Sequence, residues 1–526
     1  MLAGRWMPRT ESGIAVLRPL PLSLRRVHDT GEAIMTFIHR RLGLLVAVLA
    51  AMAASGALAA DATQMKRDAA AWVDANTRTL EAANRKIWTW AEVGLEETKS
   101  SKELQNLLKA NGFTVEAGVA GMPTAFVATY GSGGPVVGIL AEFDALLGVS
   151  QSDSPSPAVG ANPESGHACG HSIFGVGSVG AAIAVKQLIA SGAVKGTIKL
   201  YGTPAEETGI GKVYMLRAGL FKDDDAILHW HAGDKNEVSY KSSKALINAK
   251  FHFKGVAAHA SAQPFAGRSA LDAVELMSIG VQYMREHIKQ EARIHSVITK
   301  GGGQPNVVPQ EAEVWYYVRA NSFDDAFAYY NWVRDIAAAA AKMTKTELDR
   351  VTVQSETHDM LGNRPLAEAL HRNFAMLGVP QWTQAELAFA ATTQREFKDP
   401  FGFDYTKSGL ALATRLEPLP AEFEPAQSGS TDVADISWFV PVGGFQVAAY
   451  GYGLPIHSWP VIAATGGSIG TKALTTASKV LAATAIDLYT DAKLLADTKA
   501  DFRRVREPLT WKTAIPDGQM APRSVR

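Results

Sequence analysis

Apolar residues recur near helical spacing between Ala62 and Trp90, at Ala69, Trp72, Val73, Leu80, Ile87 and Trp88, and predict an amphipathic helix. A second helix is expected over Glu96 to Asn111, followed by strands over Thr124 to Tyr130 and Val136 to Ala141. The second of these strands runs into Glu142-Phe143-Asp144. Ser172 to Ala190 reads as a helix of small residues, Thr197 to Tyr201 as a buried strand, Gly211 to Ala218 as a helix and Ala226 to Leu228 as another strand. Strands alternating with helices predict an α/β fold, a mixed or parallel sheet flanked by helices. Ligands of such sheets collect beyond the carboxyl ends of the strands, where the polar clusters of this chain fall.

The period changes near Lys244. Ala245, Ile247, Ala249, Phe251 and Phe253 alternate with Asn248, Lys250, His252 and Lys254, as in a strand with one buried face. Ser269-Ala270-Leu271-Asp272 resembles a capping box and opens a helix with Ala270, Val274, Met277, Val281 and Met284 on one side. Strands over Arg293 to Thr299 and Glu311 to Ala320, an alanine-rich helix over Phe323 to Ala341 and a strand near Val351 to Gln354 complete the order βαββαβ, the ferredoxin-like unit. The chain is therefore expected to hold a domain over 244–359 inserted into another made of 61–243 and 360–495. In the second part, Thr392 to Glu424 reads as a loop-rich insertion, Gln446 to Tyr450 as a strand and Thr475 to Tyr489 as a helix. The tail over 496–526 is polar and shows no periodicity.

The N-terminus follows a different pattern. From Met35, the pair Arg40-Arg41 precedes the apolar run Leu42 to Ala53, and an Ala-x-Ala cleavage site follows after Ala59. The run is shorter than the roughly 20 residues of a membrane-spanning helix. A cleavable signal peptide over 35–60 is expected, with a periplasmic or secreted product and no membrane association after cleavage. Residues 1–34, rich in proline and arginine, are expected to be a non-native extension, with Met35 as the true start.

Lysine plus arginine equals aspartate plus glutamate at 52 each, so no basic field exists to hold nucleic acid, and a small-molecule substrate is expected. Hydrophobic residues make up 47% of the 526, enough to bury a large core.

Cys169 is the only cysteine, in Gly166-His167-Ala168-Cys169-Gly170-His171, which excludes an intrachain disulfide. A thiol flanked by imidazoles points to metal binding or nucleophilic catalysis, and the segment alone leaves both open. Tyr201-Gly202-Thr203-Pro204-Ala205-Glu206-Glu207 places two carboxylates just past a buried strand. Like charges side by side disfavour joint ionisation unless a cation or a proton sits between them. His229 and His231 end another strand, and Gly429-Ser430-Thr431-Asp432-Val433 precedes Gly453-Leu454-Pro455-Ile456-His457-Ser458. Trp230, Phe265 and Trp315 are candidates to line an acyl pocket, although such residues are more often plain core.

With Phe253 to Ala260, Gly267 to Ala273 and Pro305-Asn306-Val307-Val308-Pro309, these motifs resemble the di-metal amidohydrolases of the aminoacylase and carboxypeptidase-G type. The resemblance runs from about Asp61 to Thr490 and is closest to the aminobenzoyl-glutamate hydrolase branch. It implies two divalent metal ions per chain, Mn2+ or Zn2+, held by Cys169, His171, Glu207, His231 and His457, with Cys169 bridging. It makes Glu206 the general base and acid, and places His259 in a lid and dimerisation domain from which it reaches a partner's site. Asn306 and Arg319 would grip the substrate carboxylate, and Asp144 and Asp432 would orient ligands. Arg319 alternates with Val314 and Val318 along its strand, so its side chain can leave the lid's core. The implied reaction cuts N-acyl or N-aroyl amino acids, p-aminobenzoyl-glutamate foremost, in a homodimer or a heterodimer with a related subunit. Two positions depart from the wider group: Ser172 where many relatives carry aspartate, and Glu142 where aspartate is common.

Overall fold

The computed structural model describes residues 61–427 and 429–525; the expected signal peptide and the extension before it lie outside them. The first helix divides at Asn76, whose side-chain amide donates to the Trp72 carbonyl and competes with the helical ladder, leaving α1 over 61–75 and α2 over Thr77–Trp90. Then come α3 (Thr98–Ala110), β1 (Thr114–Ala117), β2 (Phe126–Ser132), β3 (Val136–Ala141), the short ladder of β4 (Leu146–Leu147) and β5 (Ser165–Gly166), and α4 (His171–Ala190). β6 (Gly196–Gly202), α5 (Gly211–Arg217), β7 (Ala226–Gly233) and β8 (Glu237–Ser239) follow.

Residues 245–357 build β9 (Ala245–Lys254), α6 (Ala270–Met284), β10 (Arg293–Lys300), β11 (Glu311–Ala320), α7 (Phe323–Thr344) and β12 (Glu347–Thr357). The chain closes with α8 (Arg364–Leu377), α9 (Gln384–Glu396), α10 (Val433–Ser437), β13 (Val442–Ala448), α11 (Trp459–Thr465), α12 (Ser468–Thr490) and α13 (Ala492–Arg506).

The large sheet has the order β1-β2-β6-β3-β7-β13-β8. Its centre, β6-β3-β7-β13, is parallel, and antiparallel strands flank it on both sides. Ile139, Leu140 and Ala141 are wholly buried in succession, as a parallel strand covered on both faces requires. One cover is α4 packed on α12; a Cβ at Gly180 would lie 2.7 Å from Ser478 Oγ of α12, so the close approach of the two helices needs glycine there.

The second sheet has the order β10-β11-β9-β12, wholly antiparallel, which is the ferredoxin-like arrangement. Along β11, Ala312, Val314, Tyr316, Val318 and Ala320 are buried, in one core with residues of α6 and α7, while Trp315, Tyr317 and Arg319 take the opposite face. That face meets the large-sheet domain: Asn248 Nδ2 and Ser355 Oγ both donate to the Thr208 carbonyl, at 3.2 and 2.7 Å.

Several expectations are revised. β7 continues to Gly233, because His229, Trp230 and His231 alternate between cavity and core; α12 begins seven residues earlier than periodicity suggested. Among the described residues between 397 and 424 the only helix is the single turn Tyr405–Ser408, although α9 takes up 392–396. The tail is structured. Trp511 stacks on His358 at 3.6 Å, Ile515 is buried, and Gln519 Nε2 donates to Tyr214 Oη and the Val353 carbonyl. Such contacts are irregular and long-range, and leave no period in the sequence to read.

Candidate metal centre and active site

The parallel strands deliver their ends to one place. β3 runs into Glu142 and Asp144, β6 into Glu206 and Glu207, β7 carries His231, and the segment after β13 carries His457. Cys169 and His171 arrive at the start of α4, on either side of Gly170 in a left-handed turn. A cavity of about 520 Å³ opens there, walled by Cys169, Glu206, Glu207, His231 and His457 on one side and by Tyr317, Arg319 and Thr357 of the small sheet on the other.

Second partners fix each donor. His171 Nδ1 lies 2.8 Å from Asp144 Oδ1, and the other Asp144 oxygen accepts the Glu207 backbone N–H at 3.0 Å, so one carboxylate orients two candidate ligands. His231 Nδ1 donates to the Ala232 carbonyl at 2.8 Å, leaving the Nε2 lone pair 3.4 Å from Cys169 Sγ. His457, at a positive φ of 63°, brings Nε2 to 3.3 Å from Glu207 Oε2.

These separations suit ions. With bonds of about 2.0–2.3 Å to nitrogen, oxygen and sulfur in tetrahedral geometry, neighbouring ligand atoms on one ion stand about 3.3–3.8 Å apart. The expected ligands fall into two trios, Cys169-His171-His231 and Cys169-Glu207-His457, each with its ligand atoms within 4.8 Å of one another, and a third group, Glu142-His171-Glu206, meets the same limit. Cys169 belongs to both trios of expected ligands. Among the described residues Glu207 Oε1 is buried without a hydrogen-bond partner, and His171 Nε2 makes no hydrogen bond although Glu142 Oε2 lies 3.2 Å away, as suits atoms placed to hold a metal ion. Burial and the Glu207 carboxylate push the Cys169 thiol well above its ordinary range, so a thiolate there requires added positive charge. These residues would hold divalent ions, and Cys169 stands where it could serve both trios.

Glu206 stands beside this group, with Oε2 3.8 Å from His171 Nε2. Burial, then the neighbouring Glu142 carboxylate, pushes its carboxyl up to about 7, the range in which a carboxylate exchanges protons near neutrality. His229 and His231 both face the cavity, but only His231 joins a trio.

Lys212 is the residue that motif reading missed. Wholly buried on α5, its Nζ lies 2.7 Å from Glu142 Oε1 and 2.6 Å from Asp432 Oδ1. Burial pulls the ammonium down, and the carboxylates of Asp432 and Glu142 overcome this and hold it protonated. Its only sign in the sequence is a lysine in an otherwise apolar turn. Asp432 thus touches Lys212 and not a candidate ligand: its other oxygen accepts the Lys212 backbone N–H at 2.9 Å.

The lid residues separate into two groups. Arg319 enters the cavity, its guanidinium 5.5 Å from the Tyr317 ring centroid and its Nε buried without a partner. Asn306 and His259 do not line the cavity. Both are exposed and lie together, His259 bridged to Val307 and the Asn306 carbonyl accepting from Ala260 N at 2.9 Å. None of the three expected aromatics lines the cavity. Trp230 is core, donating to the Phe174 carbonyl; Phe265 is 78% exposed; Trp315 borders a separate groove. Tyr317, Tyr450 and Phe174 take their place.

Comparison with known proteins agrees with this geometry. Residues 139–398 match the model of the peptidase family M20/M25/M40. The chain is 36% identical over 451 residues to one of the two kinds of subunit, the B type, of the p-aminobenzoyl-glutamate hydrolase of Escherichia coli (strain K12), covering 82% of this chain and 93% of that protein. It is 29% identical to the Xaa-Arg dipeptidase of Mus musculus, covering 87% and 96%. Among solved structures, an aminobenzoyl-glutamate utilization protein from Klebsiella pneumoniae shares the fold with a TM-score of 0.54 at 18% identity, covering 80% of this chain and 98% of that one. With its donor trios at the ends of the parallel strands and a relative this similar along nearly its whole length, the chain belongs to the peptidase family M20/M25/M40 and is a metal-dependent amidohydrolase.

Proposed function

We propose that this chain hydrolyses the amide bond of N-acyl amino acids with a free carboxylate, with p-aminobenzoyl-glutamate as the first substrate. The observation that carries the reading is one cavity holding Glu206 beside the donor trios and Arg319, with an unpartnered Nε, on the wall supplied by the small sheet. The relatives support the substrate class, since an aminobenzoyl-glutamate hydrolase subunit and a dipeptidase are both similar over most of the chain.

Divalent ions held by Cys169, His171, Glu207, His231 and His457 supply a lowered water pKa and a polarised carbonyl. Two per chain are proposed, Zn2+ or Mn2+, because thiolate and imidazole suit zinc and carboxylates suit manganese. Glu206 takes the proton of the attacking water and returns it to the leaving amine. Arg319 pairs with the substrate carboxylate. His259 and Asn306, exposed together away from their own cavity, act across a dimer in the neighbouring subunit's site, His259 on the oxyanion and Asn306 on the carboxylate. The dimer is of two copies or of this chain with a related subunit, and the protein works in the periplasm or medium after cleavage of residues 35–60.

Metal analysis joined to a panel of N-acyl amino acids and dipeptides tests the reading on the purified mature protein. Two ions per chain with chelator-sensitive cleavage are expected; fewer than two ions with no cleavage defeats it. Mixing His259→Ala with an inactive Glu206→Gln chain should restore activity if the histidine acts in trans. A second reading, a subunit active only with a related partner, is favoured by the naming of the E. coli relative as one subunit of a hydrolase. Turnover by the isolated chain separates the two.

A further inference from the structure

The hinge end of the lid sheet presents one rung to the cavity. Leu246 of β9 pairs with Arg319 of β11 on one side and with Thr357 of β12 on the other. Residues directly opposite in antiparallel strands project to the same face, and all three line the cavity. Thr357 is 1% exposed, and its hydroxyl oxygen has no hydrogen-bond partner among the described residues.

Two more hydroxyls join it. Lys244 N donates to the Gly429 carbonyl at 2.8 Å, which brings Ser243 and Ser430 to the same corner. Both hydroxyl oxygens are buried, both lack a partner among the described residues, and both residues line the cavity. A buried hydroxyl left unpaired is unfavourable, so several at one wall form a surface complementary to a ligand rich in oxygen. An apolar side chain would leave them unsatisfied, and a cationic one would meet no negative charge among them. Arg319 presents one planar fork, which suits one carboxylate.

We infer that Thr357, Ser243 and Ser430 form a subsite beside Arg319 that takes the side-chain carboxylate of the amino-acid half, making the enzyme selective for N-acyl derivatives of acidic amino acids. This rests on the amidohydrolase reading above and deepens it by naming the residues that accept the side chain. Three neutral donors converge on one oxygen-rich group, so losing one weakens binding without removing any reacting group.

Thr357→Val keeps shape and volume while deleting the hydroxyl, and Ser243→Ala repeats the deletion at a less buried position. Steady-state kinetics on N-benzoyl-glutamate, N-benzoyl-glutamine and N-benzoyl-alanine provide the test. Each variant should raise KM for N-benzoyl-glutamate by about 10- to 100-fold, the effect of one hydrogen bond to a charged group. Its preference for glutamate over alanine should fall by a similar factor, and wild type should prefer glutamate to glutamine. Unchanged selectivity in both variants with an active wild type overturns the subsite alone. Glutamine accepted as readily as glutamate overturns the carboxylate assignment. A wild type that cleaves none of the three overturns the amidohydrolase reading as well.

Discussion

Replacing Lys212 by methionine removes one buried ammonium and leaves two carboxylates behind. Lys212 and Asp432 are wholly buried and Glu142 is 1% exposed, so water cannot take over the lost contacts. Breaking a buried ion pair by removing one partner costs about 3–5 kcal/mol. The Lys212 backbone N–H still reaches Asp432 Oδ2, and either acid can take up a proton, so the lower half of that range is expected near pH 7. Against a total stability of about 5–15 kcal/mol the variant still folds.

The loss depends on pH. Lysine in the wild type is held above its ordinary value, so its contribution is fully present throughout the neutral range. In the variant the orphaned acids are neutral in the folded state at low pH and must be desolvated as anions at high pH, so the loss grows as pH rises from about 5 to about 8. Urea unfolding of wild type, Lys212→Met and Lys212→Arg at those two pH values measures this, with arginine expected to restore part of the loss. A Lys212→Met variant within about 1 kcal/mol of wild type at pH 8, or a loss larger at pH 5, would refute the idea that Lys212 offsets the burial of the two acids.

Four further outcomes are expected. Cys169→Ser should lose bound metal while keeping the wild-type circular dichroism spectrum, because Cys169 belongs to both donor trios; full retention of two ions would count against a bridging thiolate. Gly211→Ala should lose turnover, since its Cβ would lie 1.9 Å from the Pro204 carbonyl oxygen in the turn that carries Glu206 and Glu207; normal kinetics would show that the turn tolerates displacement. Trp511→Ala should lower stability by about 1–3 kcal/mol, below the roughly 3–5 kcal/mol of a fully buried aromatic because Trp511 is half-buried, as read by urea unfolding; its ring lies against His358, Trp438 and Phe439. Asp224, held up to about 7 by burial, destabilises the folded state progressively above the ordinary aspartate range. Asp224→Asn should therefore gain on wild type as pH rises from about 4 to about 7, and a stability difference that moves in favour of wild type over that range would contradict the shift.

Much of the catalytic side was legible because it is local. The strands of the large sheet are apolar runs that end in polar clusters, and in a parallel sheet those ends necessarily meet at one edge. Cys169 and His171 are two residues apart, and Glu206 and Glu207 are adjacent, so their proximity needed no knowledge of the fold. His457 was reachable only through the family pattern, since a histidine in a glycine- and proline-containing loop carries no signal of its own.

The order and type of the main elements, and the donors at the strand ends, can thus be read along the chain, because both follow from hydrophobic period and short spacing. Other features exist only once distant segments meet: Lys212 joins Asp432 across 220 residues, Arg319, Leu246 and Thr357 form one rung, and Arg319 enters the cavity while Asn306 and His259 do not. The polar tail likewise gains its place only by packing against His358. Each of these depends on pairing between segments far apart in the chain, and such pairing is set by register and packing, which leave no period in the sequence.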